Sequence, residues 1–180
     1  EIEGAFCPRV GPKDLILAIA GEIGADGANY QALEFAGGTI ETMDMAGRMT
    51  CCNMAVEMGA KAGMVPPDGI TWEYLRARRQ VNPFTLSSDR DAEFTSVHRF
   101  DAERLSPKVA VPHNVDQVVD VEKVAGTSID QVFIGSCTNG RFEDLREAAE
   151  VLGNRSFHAS VRVLVIPASR LEYLKALRAG

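Results

Sequence analysis

No apolar run in the 180-residue sequence approaches the ~18 to 20 residues needed for a membrane-spanning helix. The four cysteines, Cys7, Cys51, Cys52 and Cys137, contain no C-x-x-C pair, and two of them are adjacent. A disulfide framework is therefore not expected. Sparse cysteines with no secretory signal at the start fit a reducing cytoplasm. Positive charge is also scarce: the net charge is -6 and the pI near 5.1, which argues against the basic face that a nucleic-acid backbone requires. The one basic cluster, RARR at 76–79, reads as the solvated end of a helix. There is no internal repeat and no low-complexity segment. The chain opens without a methionine and stops as a helix finishes, so an excised piece of a longer protein is expected.

What remains is a globular composition, 46% hydrophobic and 24% charged, long enough for one domain or two small ones. Pro12 at a first helical position, Asp14 in the first turn and the set Leu15, Ile16, Ile19 and Ala20 predict a helix over 12–22. GADG at 24–27 turns the chain, and YQALEFAG predicts a strand. A second helix is expected from an Asp44 cap to about Ala62, stopped by Gly63, with Met45, Met49, Cys52, Val56 and Ala60 as its apolar face. A short strand and rigid turn at 64–69 lead to a third helix capped by Thr71. Beyond it the pattern predicts a loop over 82–91, a strand over 93–101, irregular extended chain over 105–118, and a helix or strand over 119–126.

From Ser128 the pattern changes. Strand (129–135), helix (141–153), strand (161–167) and helix follow one another through short connections, the signature of a parallel pair opening an α/β sheet. The expected organisation is α/β, with one domain over 1–127 and a partial second domain over 128–180.

Ligands of open α/β sheets bind at the carboxyl ends of the strands. GSCTNG lies at such an end and runs into a helix start, whose N–H groups and dipole favour a thiolate or an anion. Cys137 could thus be a nucleophile, a thiolate ligand to a metal or an iron–sulfur cluster, or a small buried apolar residue. Gly135, Ser136, Thr138, Asn139 and Gly140 around it weigh against the last. His98, His113 and His158 stand in no recognisable catalytic context. Cys51 and Cys52 point about 100° apart on a helix and cannot both face one metal. Asn53 and Glu57, at i and i+4 away from the apolar seam, could present an amide and a carboxylate together.

Two motifs in order, GRMTCCNMAVEMGAKAGMVPPD and VFIGSCTNGRFEDLREAAEVL, resemble the isopropylmalate dehydratase-type large subunits of the aconitase family. GPKDLILAIAGEIGADGANYQALEFAG extends the likeness over nearly the whole chain, and GSCTNGR-x-EDL is its most specific element. The resemblance implies an aconitase-like α/β middle domain followed by the first βαβα unit of an open parallel-sheet domain. It implies a hydro-lyase with a [4Fe-4S] cluster held by three cysteines, Cys137 matching the first. The other two belong to a C-x-x-C segment that this sequence lacks. Asn53 and Glu57 match the catalytic CNM-x-x-E positions, and Ser136 and Asn139 fall beside the substrate or cluster; Cys51 and Cys52 are not carried over as ligands. Further implications are a small hydroxy-di- or tricarboxylate substrate and a heterodimer with a small subunit carrying the swivelling domain and its base serine. The reaction implied is loss and re-addition of water, isomerising 2- and 3-isopropylmalate in leucine biosynthesis. Homoaconitase, citraconate hydratase and dimethylmaleate hydratase share the motifs. A cluster-free RNA-binding aconitase-type protein is a further alternative, and the acidic balance disfavours it. The chain alone is expected to hold no intact cluster and to turn over no substrate.

Overall fold

The computed structural model describes residues 1–78 and 86–180. Arg79 of the basic cluster and positions 82–85 of the expected loop lie outside the described residues. The chain divides into two compact units, Glu1–Lys123 and Val124–Gly180, rather than at 127/128. Both are mixed α/β, built from helices and short, mostly parallel strand pairs. Among the described residues no helix is long and apolar enough to cross a membrane.

The first unit begins with β1 (Ile2–Glu3) and α1 (Pro12–Ile23). Pro12 supplies the fixed φ of a first helical position, and Asp14 accepts a hydrogen bond from the Gly11 N–H at 2.9 Å. The buried face of α1 is Leu15, Ile16, Leu17, Ile19 and Ala20. Full burial of a Leu or Ile of this kind contributes roughly 1.5–3 kcal/mol. Next come β2 (Ala32–Glu34), α2 (Gly38–Thr42), α3 (Met45–Met54), β3 (Ala62–Met64) and α4 (Gly69–Arg76). Then follow β4 (Phe100–Asp101), β5 (Lys108–Ala110) and β6 (Val118–Asp120). β1 pairs in parallel with β4, β2 in parallel with β3, and β5 antiparallel to β6. One apolar core joins Ile2, Leu15, Ile16, Ile40, Cys51 and Met58, all under 2% exposed.

Three expectations are corrected here. The helix from Asp44 ends eight residues early: α3 gives way to a 3-10 turn over Ala55–Met58, and Gly59 closes it at φ +80. A Cβ on Gly59 would meet the Asn29 Oδ1 at 2.0 Å, so only glycine fits this left-handed stop. The buried face is also rotated from the expected stripe: Gly47, Arg48, Thr50, Cys51 and Met54 face the core, whereas Val56 is 64% exposed. The cap of α4 is Asp68, which accepts from the Thr71 N–H at 3.1 Å; Thr71 lies inside the helix.

The strand expected over 93–101 shrinks to Phe100–Asp101. Alternation alone does not make a strand where no neighbour offers a ladder. Here the chain meets the start of β1 through the Glu1 amine donating to the His98 carbonyl, the Phe100 N–H donating to the Glu1 carbonyl and the Arg99 side chain donating to the Glu1 carboxylate at 2.9 Å. The 119–126 segment is both alternatives in turn, the end of β6 and then a 3-10 turn over Val121–Val124.

In the second unit β7 (Gln131–Gly135), α5 (Phe142–Leu152), β8 (Arg162–Ile166) and α6 (Arg170–Ala179) follow in order. β7 and β8 pair in parallel from Gln131↔Arg162 to Gly135↔Ile166. Gly153 ends α5, and Ser169 caps α6 through its hydroxyl, which accepts from the Glu172 N–H at 3.3 Å.

Candidate functional site

The loop at the end of β7 is shaped by backbone that tolerates few side chains. Gly135 has φ +114, and a Cβ there would lie 2.0 Å from the Ile166 carbonyl oxygen. Ser136 follows in the left-handed region at φ +79, a conformation that costs a non-glycine residue about 1–3 kcal/mol. Its N–H donates to the Ile166 carbonyl at 2.7 Å, which ties the loop to the end of β8. Gly140 is buried, a Cβ there would meet the Ser136 carbonyl at 2.4 Å, and its own carbonyl accepts from the Ala168 N–H at 2.7 Å.

These constraints hold Cys137 exposed at the carboxyl end of a parallel strand, one turn ahead of a helix. The Ser136 hydroxyl donates to its sulfur at 3.8 Å. The opposite side of the loop is internally bonded. The Asn139 amide donates to Asp144 at 2.8 Å, the Arg141 N–H to the other Asp144 oxygen at 2.9 Å, and the Arg141 guanidinium to the Thr138 carbonyl at 2.7 Å. Asn139 Oδ1 is buried with no hydrogen-bond partner among the described residues.

The helix start differs from the sequence expectation. Carboxylates of the protein itself already sit at the positive end of α5: Asp144 on the Arg141 N–H, and Glu172 of α6 on the Phe142 N–H at 3.0 Å. Glu172 is buried and also accepts from Lys175 at 3.3 Å. Sequence reasoning did not single out this carboxylate. The Ser169-x-x-Glu172 spacing marks a capping box, but the Glu172 side chain crosses to the other helix instead.

In the first unit, Asn53 lies in the last turn of α3 and Glu57 in the 3-10 turn after it, and both are exposed. The tighter winding, about 120° per residue against 100°, carries Glu57 roughly 40° further round the axis than a continuous α-helix would. Both side chains are exposed, whereas Cys51 and Met58 on the same segment are at 0% exposure. The neighbouring Arg48 is 2% exposed and donates to both Asp68 oxygens at 2.7 and 2.6 Å, to the Met43 carbonyl at 2.9 Å and to the Glu41 carbonyl at 3.0 Å. The Arg48 guanidinium holds the Asp68 carboxyl down at about 2. Asp68 preceding the helix residues Gly69–Ile70 was a readable cap signal; its buried arginine partner, twenty positions back, had none.

The thiols differ in the same way. Cys51 is fully buried against the Pro12 carbonyl, and desolvation, helped by the adjoining Cys52, pushes it up to about 12. It is a neutral core residue. Burial also raises half-buried Cys52, while Arg48 pulls the other way. Cys7 is exposed and donates to the Glu103 carbonyl at 3.3 Å. The histidines are exposed; His98 contacts Glu22 at 3.3 Å and His158 contacts Ser160 at 2.8 Å. Among the described residues no group of three or more His, Cys, Asp or Glu could hold a metal ion. The residues present therefore fit one thiolate anchor of a cluster and do not fit a complete cluster site.

The aconitase family (aconitate hydratase) model matches residues 1–180. Over the same span the chain is 69% identical to the 3-isopropylmalate dehydratase large subunit of Methanoregula boonei, and it covers 43% of that protein. It is 54% identical to a protein of Methanothermobacter thermautotrophicus named as a probable methanogen homoaconitase large subunit, with 42% of it covered. It is 50% identical to 3-isopropylmalate dehydratase large subunit 1 of Archaeoglobus fulgidus, with 43% covered. The chain thus spans about two-fifths of the length of the curated relatives it matches.

Proposed function

Because this chain belongs to the aconitase family along its whole length, we propose that it is a segment of a hydro-lyase large subunit that isomerises 2- and 3-isopropylmalate by removing and restoring water. The observation that carries this reading is the exposed thiol of Cys137, held at the end of β7 by Gly135, Ser136 and Gly140. The 69% identity to a named 3-isopropylmalate dehydratase large subunit supports the substrate class.

In this reading Cys137 is one of three anchors of a [4Fe-4S] cluster, and the other two come from polypeptide outside this sequence. When bound, such a cluster supplies Lewis-acid activation of the departing hydroxyl. Glu57 holds and transfers a proton at its carboxylate, and Asn53 orients the substrate oxygen through its amide. Asn139 keeps a buried, unpartnered Oδ1 in the same loop, and Ser136 keeps its hydroxyl on the thiol. The proposed partner is a small subunit supplying the swivelling domain, and the proposed location is the cytoplasm.

The test uses the full-length large subunit co-expressed with its small subunit. Cys137→Ser should abolish the electron paramagnetic resonance signal of the one-electron-reduced cluster and the activity together. Glu57→Gln should keep the signal and lower kcat by about 10² to 10⁴. A Cys137→Ser enzyme with an intact signal and full turnover would overturn the reading. Homoaconitate is the second substrate to assay, since one relative carries a homoaconitase name at 54% identity. A higher kcat/KM on homoaconitate would move the assignment within the family.

A further inference from the structure

The first unit contains a second cluster of ligand atoms that the proposed reaction does not use. Met45, Met49 and Cys52 fall at i, i+4 and i+7 on α3, one stripe of that helix. The stripe that the sequence pattern assigned to the core is instead only partly buried. With Met64 of β3 it lines a cavity of about 500 Å³. Three methionines and one cysteine thus line a common space, and Cys52 also packs against the edge of the core. The remaining methionines, Met43, Met54 and Met58, are packed in the core at 6%, 4% and 0% exposure. The six methionines are therefore divided into a structural set and a cavity set.

The chemistry of the lining is selective. Thioethers are weak ligands for zinc or magnesium but good ones for soft, low-charge ions. No imidazole lines the cavity, and its carboxylate, Glu34, is engaged by the Ser88 hydroxyl at 2.5 Å. Methionine side chains are long and unbranched, so sulfur atoms from successive turns can converge on one point. Arg48 also lines the cavity, and Asp68 balances its charge at 2.6 Å. Burial raises the Cys52 thiol, and the Arg48 charge opposes part of that rise.

We propose that Met45, Met49, Cys52 and Met64 form a binding site for a soft monovalent metal ion, Cu(I), independent of the cluster anchor in the other unit. On binding, the Cys52 thiol releases its proton to solvent and the thiolate takes the metal. No redox change is involved.

The exposed thiols are removed first by Cys7→Ser and Cys137→Ser, and the chain is titrated anaerobically with Cu(I) against a chromophoric Cu(I) chelator. The expected result is one Cu(I) retained per chain. Retention should weaken about a hundredfold with Cys52→Ser and about tenfold with Met45→Leu/Met49→Leu. A second measurement does not depend on the variants folding. With ¹³C-methyl methionine and Ag(I) as a redox-inert probe, the Met45, Met49 and Met64 methyl signals should shift while those of Met43, Met54 and Met58 stay. Copper retention indifferent to Cys52→Ser in a folded chain would overturn the proposal. So would methyl shifts confined to the core methionines or absent altogether.

Discussion

The two units use similar elements and bury them differently. In the first, α1, α2 and α3 close over a core from Ile2 to Ala102, with Leu15, Ile16 and Ala20 at 0% exposure. In the second, no apolar side chain is buried: the buried residues are Gly140 and Glu172. Phe133, Val165, Leu171 and Tyr173 are each about half exposed, at 50%, 54%, 49% and 50%. A parallel strand pair is normally covered on both faces. Here α5 packs on β7 and on α6, and the remaining apolar surface is open. Regular secondary structure is thus no guide to burial. The unit with the better-formed strands and helices is the one with the weaker core.

The widest gap between the units should appear in amide hydrogen exchange of the chain. Amides in the middle of α1 open only with the whole core, whereas those of β7 can open with two strands and little apolar area. Protection over 16–20 is expected to exceed that over 132–134 by about a thousandfold or more. Equal protection would mean that the second unit is as cooperative as the first. Side-chain truncation sharpens the same contrast at single positions. Leu15→Ala should cost about 3–4 kcal/mol in chemical denaturation, and Phe133→Ala, at a half-exposed site, less than about 1 kcal/mol.

The same contrast explains what could be read in advance. The second unit's elements lie within a residue or two of expectation because their signals are local: apolar runs for β7 and β8, Gly153 after α5, Ser169 before α6. The Cys137 loop was legible for the same reason, since its shape depends on Gly135 and Gly140 within five positions. Signals failed where the answer depended on distant chain. Gly59 ends a helix early because Asn29 stands where a side chain would go. Cys51 rather than Cys52 faces the core because α1 supplies its neighbours, the Pro12 carbonyl among them. The burial of Arg48 required Asp68 to converge with Met43 and Glu41 at the end of α2.

Removing Asp68 tests that convergence. Asp68→Asn leaves the guanidinium of Arg48 buried with its carbonyl partners but without its counter-ion. Loss of one partner of a fully buried pair costs about 3–5 kcal/mol. Because the Asp68 side chain is 38% exposed, solvent screening reduces the expected loss to about 2 kcal/mol. Thermal melts should show it in the transition of the first unit only. The same loss in the second unit's transition would erase the distinction between them.

Acid provides the smallest and most selective perturbation. Asp68 is held at about 2, mainly by its hydrogen bond to Arg48. Asp120 is lowered by hydrogen bonds from Lys108 and Ser106, which pin β5 to β6. A carboxyl whose folded-state value is depressed binds protons more readily when unfolded. Its contribution is therefore complete above its ordinary value of 3.8 and is lost as pH falls towards the folded value. Both carboxyls belong to the first unit. Between pH 5 and 7 stability should be flat in these two groups, and from about pH 4 downward the first unit should weaken progressively. Asp68→Asn should remove most of that slope and Asp120→Asn a smaller part, because Asp120 is solvated and its ion pair is screened. The check is denaturant unfolding at a series of pH values in low and high salt. Salt should flatten the Asp120 contribution and leave most of the Asp68 contribution, since only the latter is anchored to an arginine that water does not reach.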